Sequence, residues 1–441
     1  MRKLAWSGLA VVLIVCIAWF SNPGDRETGD APKPAMAVDG EAPRTALAPD
    51  NDPAARGREL ARLGGCQSCH TARGGAPFAG GRSIPTPFGT FYSPNITPDA
   101  KAGLGSWSAT DFWHALHNGY SKDGTLLYPT FPYTNYTRIA RSDSDALYAY
   151  LRTIAPAARA NRRHELKFPY NHRILLAAWR RLYFRPGVYE TDSRQDAQWN
   201  RGAYLVQGLA HCSACHETRN ALGGTHAKAG PSGGLVLDWY APSLTSPHEA
   251  GVQSWSTSDI VTLLRTGRVS TQSANASAAG PMAEVVAESL QYAAEGELQA
   301  MAVYLKSLPT SEATNNANGT APTRYVLPVA VREAGKDLYE KNCADCHGHD
   351  GEGHEPAAPP LAGNRTVTMP SAINVIRKIL FGGYSPGTAG NPRPFGMPPY
   401  SLALSDEQIA EVLDYIRTSW GNEAPPVFGE DVGANRGNPL W

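Results

Sequence analysis

The sequence predicts an all-α fold: three small helical domains in tandem. Three observations carry that expectation. A Cys-x-x-Cys-His pattern occurs three times, at Cys66-Gln-Ser-Cys69-His70, Cys212-Ser-Ala-Cys215-His216 and Cys343-Ala-Asp-Cys346-His347. Each copy sits at the same place in an internal repeat, after one helical stretch and before another. The 35 prolines and 43 glycines among 441 residues leave much of each repeat to loops, as in a domain that wraps something.

The chain opens with Arg2 and Lys3 before an uncharged run from Leu4 to Phe20. That run is longer than the usual apolar core of a signal peptide, about 7–15 residues, and no A-x-A cleavage site comes closely after it. Residues 1–20 therefore read as a membrane anchor in preference to a cleaved signal. Either reading exports the rest of the chain, since the positive end stays in the cytoplasm. The expected location is the periplasmic side of the cell membrane. Residues 21–51, rich in Pro, Ala, Gly and Asp, read as a flexible linker.

The three repeats occupy 52–185, 195–310 and 325–421. Each opening helix carries a glycine eight to ten residues before the first Cys: Gly57, Gly202 and Gly335. Each closing helix carries an aromatic, an aliphatic and a base in sequence. These are Tyr150-Leu151-Arg152, Tyr304-Leu305-Lys306 and Tyr415-Ile416-Arg417. Apolar spacing along the closing helices is near the helical period, as one buried face requires. The glycine is expected to let the opening helix approach the closing one beside that tyrosine. Residues 164–194, with Trp179, Tyr183 and Phe184 among arginines, read first as a connector packed between repeats and second as a surface for a partner. Residues 309–324 form a polar linker, and 422–441 a C-terminal tail.

The motif itself speaks for chemistry. Two thiols one helical turn apart can form thioethers to a haem, and the adjacent His can take the iron, which is the c-type attachment pattern. A zinc site would want two such pairs closing one tetrahedron. A dithiol redox pair has no use for the following His. Three covalently bound haem c groups are therefore expected. Their thioether residues are Cys66, Cys69, Cys212, Cys215, Cys343 and Cys346, and His70, His216 and His347 are the proximal iron ligands. Cys16, in the N-terminal run, is the only cysteine outside these motifs.

The sixth ligand decides what each haem can do, because a Met sulfur raises the potential and favours electron transfer. With six methionines the choice is short. Met397, in Phe395-Gly396-Met397-Pro398-Pro399-Tyr400, is preferred over Met369 in the third repeat. Met282, in Gly280-Pro281-Met282, is preferred over Met301, which sits inside a closing helix. The first repeat has no methionine, and Phe131 stands where one is expected. His117 is the preferred candidate there, with His114 or an open iron as alternatives.

Forty basic and forty acidic residues balance, which excludes the basic stripe of a nucleic-acid binder. No GxGxxG opens a βαβ unit, no iron–sulfur spacing occurs and no nucleophile–base pair is evident. The chain reads as an electron-transfer subunit with no substrate chemistry of its own. A multihaem peroxidase is the enzymatic alternative, motivated by the missing methionine on the first haem.

Several motifs resemble a known family. Gly80-Gly81-Arg82-Ser83-Ile84-Pro85-Thr86-Pro87-Phe88-Gly89-Thr90, Ser93-Pro94-Asn95-Ile96-Thr97-Pro98, the three Cys motifs and Arg201-Gly202-Ala203-Tyr204-Leu205-Val206 are similar to the trihaem cytochrome c subunits of bacterial membrane-bound or periplasmic dehydrogenases. The resemblance runs from about residue 55 to 420. It implies three tandem cytochrome c domains, a catalytic dehydrogenase partner, and quinone or a downstream cytochrome or oxidase as acceptor. Tyr128-Pro129-Thr130-Phe131-Pro132-Tyr133, Ala115-Leu116-His117, Asn220-Ala221-Leu222-Gly223 and Gly280-Pro281-Met282-Ala283-Glu284-Val285-Val286 look more like one branch. That branch partners molybdopterin and 2Fe–2S hydroxylases of aldehydes or N-heterocycles. The related quinoprotein alcohol and flavin gluconate or sorbitol dehydrogenase branches generally carry a Met where Phe131 stands, and remain the alternative.

Overall fold

In the computed structural model, residues 52–225, 231–311 and 325–437 are described. The expected anchor, nearly all of both linkers and the last four residues lie outside them. Among the described residues no helix is long and apolar enough to cross a membrane.

The same helix pair is built three times. Pro53–Leu63 packs on Arg141–Leu151, Ala197–Tyr204 on Glu295–Ser307, and Val329–Asn342 on Asp406–Thr418. Local chemistry sets the boundaries. Asp52 caps the first of these helices by accepting from the Ala55 N–H at 3.0 Å, with Pro53 pre-set at the first helical position. Middle helices Ala109–Asn118 and Thr257–Thr266 share one signature: a Ser cap, an Asp three residues on, and a glycine at positive φ after the end (Ser108, Asp111 and Gly119; Ser256, Asp259 and Gly267).

The expected glycine contact is present in all three pairs. A Cβ on Gly57 would lie 1.9 Å from the Ala146 carbonyl oxygen and 2.8 Å from Tyr150 Cβ. On Gly202 the same distances are 1.9 Å to Ala300 O and 2.8 Å to Tyr304 Cβ; on Gly335 they are 2.2 Å to Glu411 O and 2.9 Å to Tyr415 Cβ. Only a residue without a side chain lets the two backbones touch.

Beside that contact the first two repeats bury an ion pair. Arg201 donates twice to Glu297, at 2.8 Å for both bonds, with side-chain exposure of 0% and 3%. Arg56 meets Asp143 in the same register, and Asp143 also accepts from the Tyr204 hydroxyl at 2.7 Å, which ties repeat one to repeat two. The third repeat has Ala334 and Gln408 at these positions, and Gln408 serves in the capping box of its own helix instead.

Repeats one and two share one continuous hydrophobic core, including Leu60, Ile139, Leu147, Tyr204, Leu205, Leu298 and Met301. The third repeat has its own, around Tyr339, Leu380, Ile409, Leu413 and Val432. Polar contacts join it to the second repeat. Asn374 exchanges two hydrogen bonds with the Tyr240 backbone, at 2.9 and 2.8 Å, and Arg268 donates to Glu355 and to the Pro356 carbonyl, both at 2.8 Å.

Short antiparallel strands modify the all-α expectation. Ser83–Thr86, Gly89–Tyr92 and Glu165–Leu166 form a small sheet, and three further hairpins each pair two or three residues. They lie in the Gly- and Pro-rich loops, too short to show a period-two pattern. The segment read as a C-terminal tail folds onto the third core, where Val427 and Val432 are buried and the Val427 N–H donates to Asp414 at 2.7 Å. Of the connector, Leu176 and Phe184 are buried and Trp179 Nε1–H donates to the Leu222 carbonyl at 2.9 Å.

Candidate functional site

Each Cys-x-x-Cys-His motif forms one short helical turn after the opening helix: one or two residues beyond it in the third and first repeats, and beyond a π-helical stretch, Leu205–Leu209, in the second. Such a turn brings residues three and four apart to one side, so the two thiols and the histidine start from neighbouring positions. The three imidazoles are then held the same way. His70 Nδ1–H donates to the Pro94 carbonyl at 2.8 Å, His216 Nδ1–H to Pro242 at 2.7 Å, and His347 Nδ1–H to Pro359 at 3.0 Å. A histidine tied through Nδ1 presents Nε2 as its free lone pair, the arrangement that orients a metal-ligating imidazole. Burial lowers the pKa of all three rings, against the opposing pull of those carbonyls, so they stay neutral and able to ligate.

The proline carbonyls were not legible as functional groups, although Tyr-Ser-Pro94 and Tyr-Ala-Pro242 stand at matching places 24 and 26 residues after their histidines. The third, only 12 residues on, breaks that spacing.

The thiols are free. Burial pushes Cys66, Cys212 and Cys343 up to about 12, each helped by the second thiol of its motif. A redox dithiol works through a depressed, thiolate-forming cysteine, so these environments are wrong for that role. Nor do the groups converge on a shared ion: among the described residues no three His, Cys, Asp or Glu side chains could hold a metal between them. Covalent haem therefore fits the donor set better than zinc or dithiol exchange. Six cysteines and three Nε2 atoms would hold it.

The candidate sixth ligands are placed differently. Met282 lies in the first turn of helix Gly280–Glu288, not in an open loop, and packs against the shared core. Met397 pairs with Gly383 in a two-residue hairpin and packs against the third core. Their rivals Met301 and Met369 are buried at 1% and 4% exposure; Met301 is part of the shared core, and the Met369 carbonyl accepts from Arg417. Phe131 packs on the shared core with its ring 5.4 Å from that of Tyr136. His117 donates from Nδ1 to the Thr137 carbonyl at 2.8 Å and stacks on Trp113 at 4.5 Å. Neither contact belongs to the first motif. His114 is bonded through Nδ1 to the Asn118 side chain at 3.0 Å.

The first and second motifs are neighbours. Asn135 donates to Ser213 Oγ at 2.7 Å, inside the second motif, and the adjacent Tyr136 ring stands 5.4 Å from His211. Burial first, and then the Cys69 thiol, raise Cys215 against the pull of Arg219. Arg82 donates to the Ser68 carbonyl of the first motif at 2.8 Å and pairs with Glu284, two residues beyond Met282. Two attachment sites thus share one wall, which shortens any path between them.

Comparison with known proteins agrees in kind. The cytochrome c family profile matches residues 54–155 and 332–420. The chain is 39% identical over 399 residues to the cytochrome c subunit of a quinone-type alcohol dehydrogenase from Gluconacetobacter polyoxogenes, covering 87% of this chain and 84% of that one. It is 37% identical to the gluconate 2-dehydrogenase cytochrome c subunit of Pantoea cypripedii over 396 residues, 86% of this chain and 89% of the other. It is 38% identical over 380 residues to a nicotinate dehydrogenase subunit of Pseudomonas putida, 85% of this chain but 31% of that longer protein.

Proposed function

The chain belongs to the family of cytochrome c subunits of dehydrogenases, and on that premise we propose that it wires three covalent haems between a catalytic dehydrogenase subunit and the respiratory chain. The observation that carries this is the threefold recurrence of one arrangement: two free thiols three residues apart and an imidazole whose Nδ1 is tied to a proline carbonyl. Bound haem iron supplies one-electron exchange between its two oxidation states.

The chain's own part is to hold and tune. His70, His216 and His347 present Nε2 in a fixed orientation, and Met282 and Met397 would supply sulfur to the haems of the second and third sites. His117 remains the proposed ligand of the first site. Its Nδ1 bond to Thr137 leaves Nε2 free, as in the three proximal histidines. The common wall of the first two motifs supports direct transfer between them.

The proposed partner is a molybdopterin and 2Fe–2S dehydrogenase acting on aldehydes or N-heterocycles. Phe131 in place of a methionine, and the likeness to a nicotinate dehydrogenase subunit, support that choice. A quinoprotein alcohol or flavin gluconate dehydrogenase partner is the second reading, favoured by alignments that span 84% and 89% of those subunits. Quinone or a downstream cytochrome would receive the electrons at the periplasmic face of the membrane, where residues 1–20 would anchor the chain.

The test is co-purification from detergent-solubilised membranes, with cofactor analysis and haem reduction by candidate substrates. Molybdopterin and iron–sulfur in the complex, with haem bands reduced by an aldehyde or N-heterocycle, support the first partner. A quinoprotein or flavoprotein replaces it with the second. A chain that purifies alone, its haems untouched by any such enzyme, overturns the subunit role.

A further inference from the structure

Segment 167–185 is the largest feature that the electron-transfer reading leaves unused. Its helix, Leu175–Tyr183, buries Leu176, and Phe184 just beyond it is also buried, while the opposite side is left bare. Ile174 is 77% exposed, Leu182 66% and Leu175 47%, and Phe168 before the helix is 79% exposed. Positions 174, 178 and 182 recur at helical spacing, with alanine at 178, so these side chains form one apolar stripe along the surface. Leu222, 51% exposed, lies on the loop whose carbonyl Trp179 Nε1–H holds at 2.9 Å. Scattered exposed leucines need no explanation, but a continuous stripe does.

The charge around the stripe names its occupant. Between Glu165 and Glu190 the chain carries Lys167, Arg173, Arg180, Arg181 and Arg185 and no acidic residue, in a protein whose total charge is zero. Arg180 is turned inward over Tyr133 and Phe184, whereas Lys167, Arg173, Arg181 and Arg185 are exposed; of these, Lys167, Arg173 and Arg185 also donate to the Pro87, Leu126 and Phe184 carbonyls and keep their remaining N–H groups toward solvent. A surface helix with aliphatic side chains on one line and cations flanking it is the form that lies in the headgroup layer of an anionic bilayer. We propose that residues 167–185 seat this chain on an anionic phospholipid surface, with Phe168, Ile174, Leu175 and Leu182 in the acyl boundary and the four exposed cations on phosphates. This rests on the membrane-side location proposed above, but on no contact made by residues 1–20.

Hydrogen exchange of the full haem-loaded chain in nanodiscs separates the two. Phosphatidylglycerol discs are expected to protect 167–185, and phosphatidylcholine discs to protect it much less, while residues 1–20 insert in both. The triple variant Ile174→Glu, Leu175→Glu, Leu182→Glu should lose the protection with its haem spectrum unchanged, since all three side chains are exposed. Removing one cation, as in Arg181→Gln, should weaken vesicle binding roughly fivefold.

If residues 1–20 do not insert, flotation of the same chain on phosphatidylglycerol vesicles reads the helix alone. Flotation that the triple variant abolishes supports the proposal even though the anchor has failed, and no flotation overturns it. Equal, absent protection in both disc types overturns it as well. Protection that arises only when a catalytic subunit is added assigns the stripe to protein docking, and the lipid proposal falls.

Discussion

Replacing Gly202 by alanine puts a methyl carbon 1.9 Å from the Ala300 carbonyl oxygen and 2.8 Å from Tyr304 Cβ. Ordinary van der Waals contact begins near 3.4 Å, so the opening and closing helices must separate by about 1.5 Å. Neither partner atom can rotate away, because one is backbone and the other is fixed to it. Overpacking of this kind costs about 1–3 kcal/mol, and the upper end applies where backbone must move. Alanine returns up to about 1 kcal/mol through its helix propensity. The net expectation is a loss of about 2 kcal/mol, or a fall in melting temperature of about 4–8 °C for a core of this size. Gly296, in the closing helix of the same pair, has nothing within 4 Å of its would-be Cβ. Gly296→Ala should therefore leave the melting temperature unchanged or raise it. Thermal unfolding of both haem-loaded variants, tracked by circular dichroism, decides the matter. A Gly202→Ala protein that melts at or above the parent temperature refutes the close-packing argument.

Further consequences are equally checkable. Glu297→Ala removes the buried carboxylate to which Arg201 donates twice and should cost about 3–5 kcal/mol in denaturant unfolding, with Glu297→Gln milder. In the third repeat, burial lifts Asp414 to about 6 from its ordinary 3.8, against the pull of the Val427 N–H and Arg417. The folded state then keeps a proton that the unfolded chain has released. This group's contribution is greatest below about pH 4 and is lost as pH rises to about 6, so denaturation midpoints should fall over that window and Asp414→Asn should flatten the slope. Met282→Leu and Met397→Leu should each abolish one share of the sulfur-to-iron charge-transfer band and lower one haem potential in a redox titration. An unchanged band in either variant removes that methionine from the ligand set.

How much of this is legible in the sequence depends on the range of the signal. The three motifs, the Gly57, Gly202 and Gly335 contacts and their tyrosines are readable because each is local and repeated. The proline carbonyls escape because a backbone acceptor has no side-chain signature, and its distance from the histidine varies with loop length. The buried Arg201–Glu297 pair joins residues 96 positions apart, which no local pattern reveals. The neighbouring placement of the first two motifs depends on a core shared between repeats, so only the folded chain shows it. The helical setting of Met282 is masked in the sequence by Gly280-Pro281 before it, yet a proline is at home in the first turn of a helix. For the first site, neither the missing methionine nor the contacts of His117 name a ligand by proximity to His70.

Haem stoichiometry is the most direct test of the central claim. Intact-mass spectrometry of the purified chain, with alkylation of any free thiol, counts covalent groups and locates the site of each. The account predicts three haems per chain and no alkylation at Cys66, Cys69, Cys212, Cys215, Cys343 or Cys346. A mass corresponding to two haems, with one motif's thiols alkylated, would contradict it.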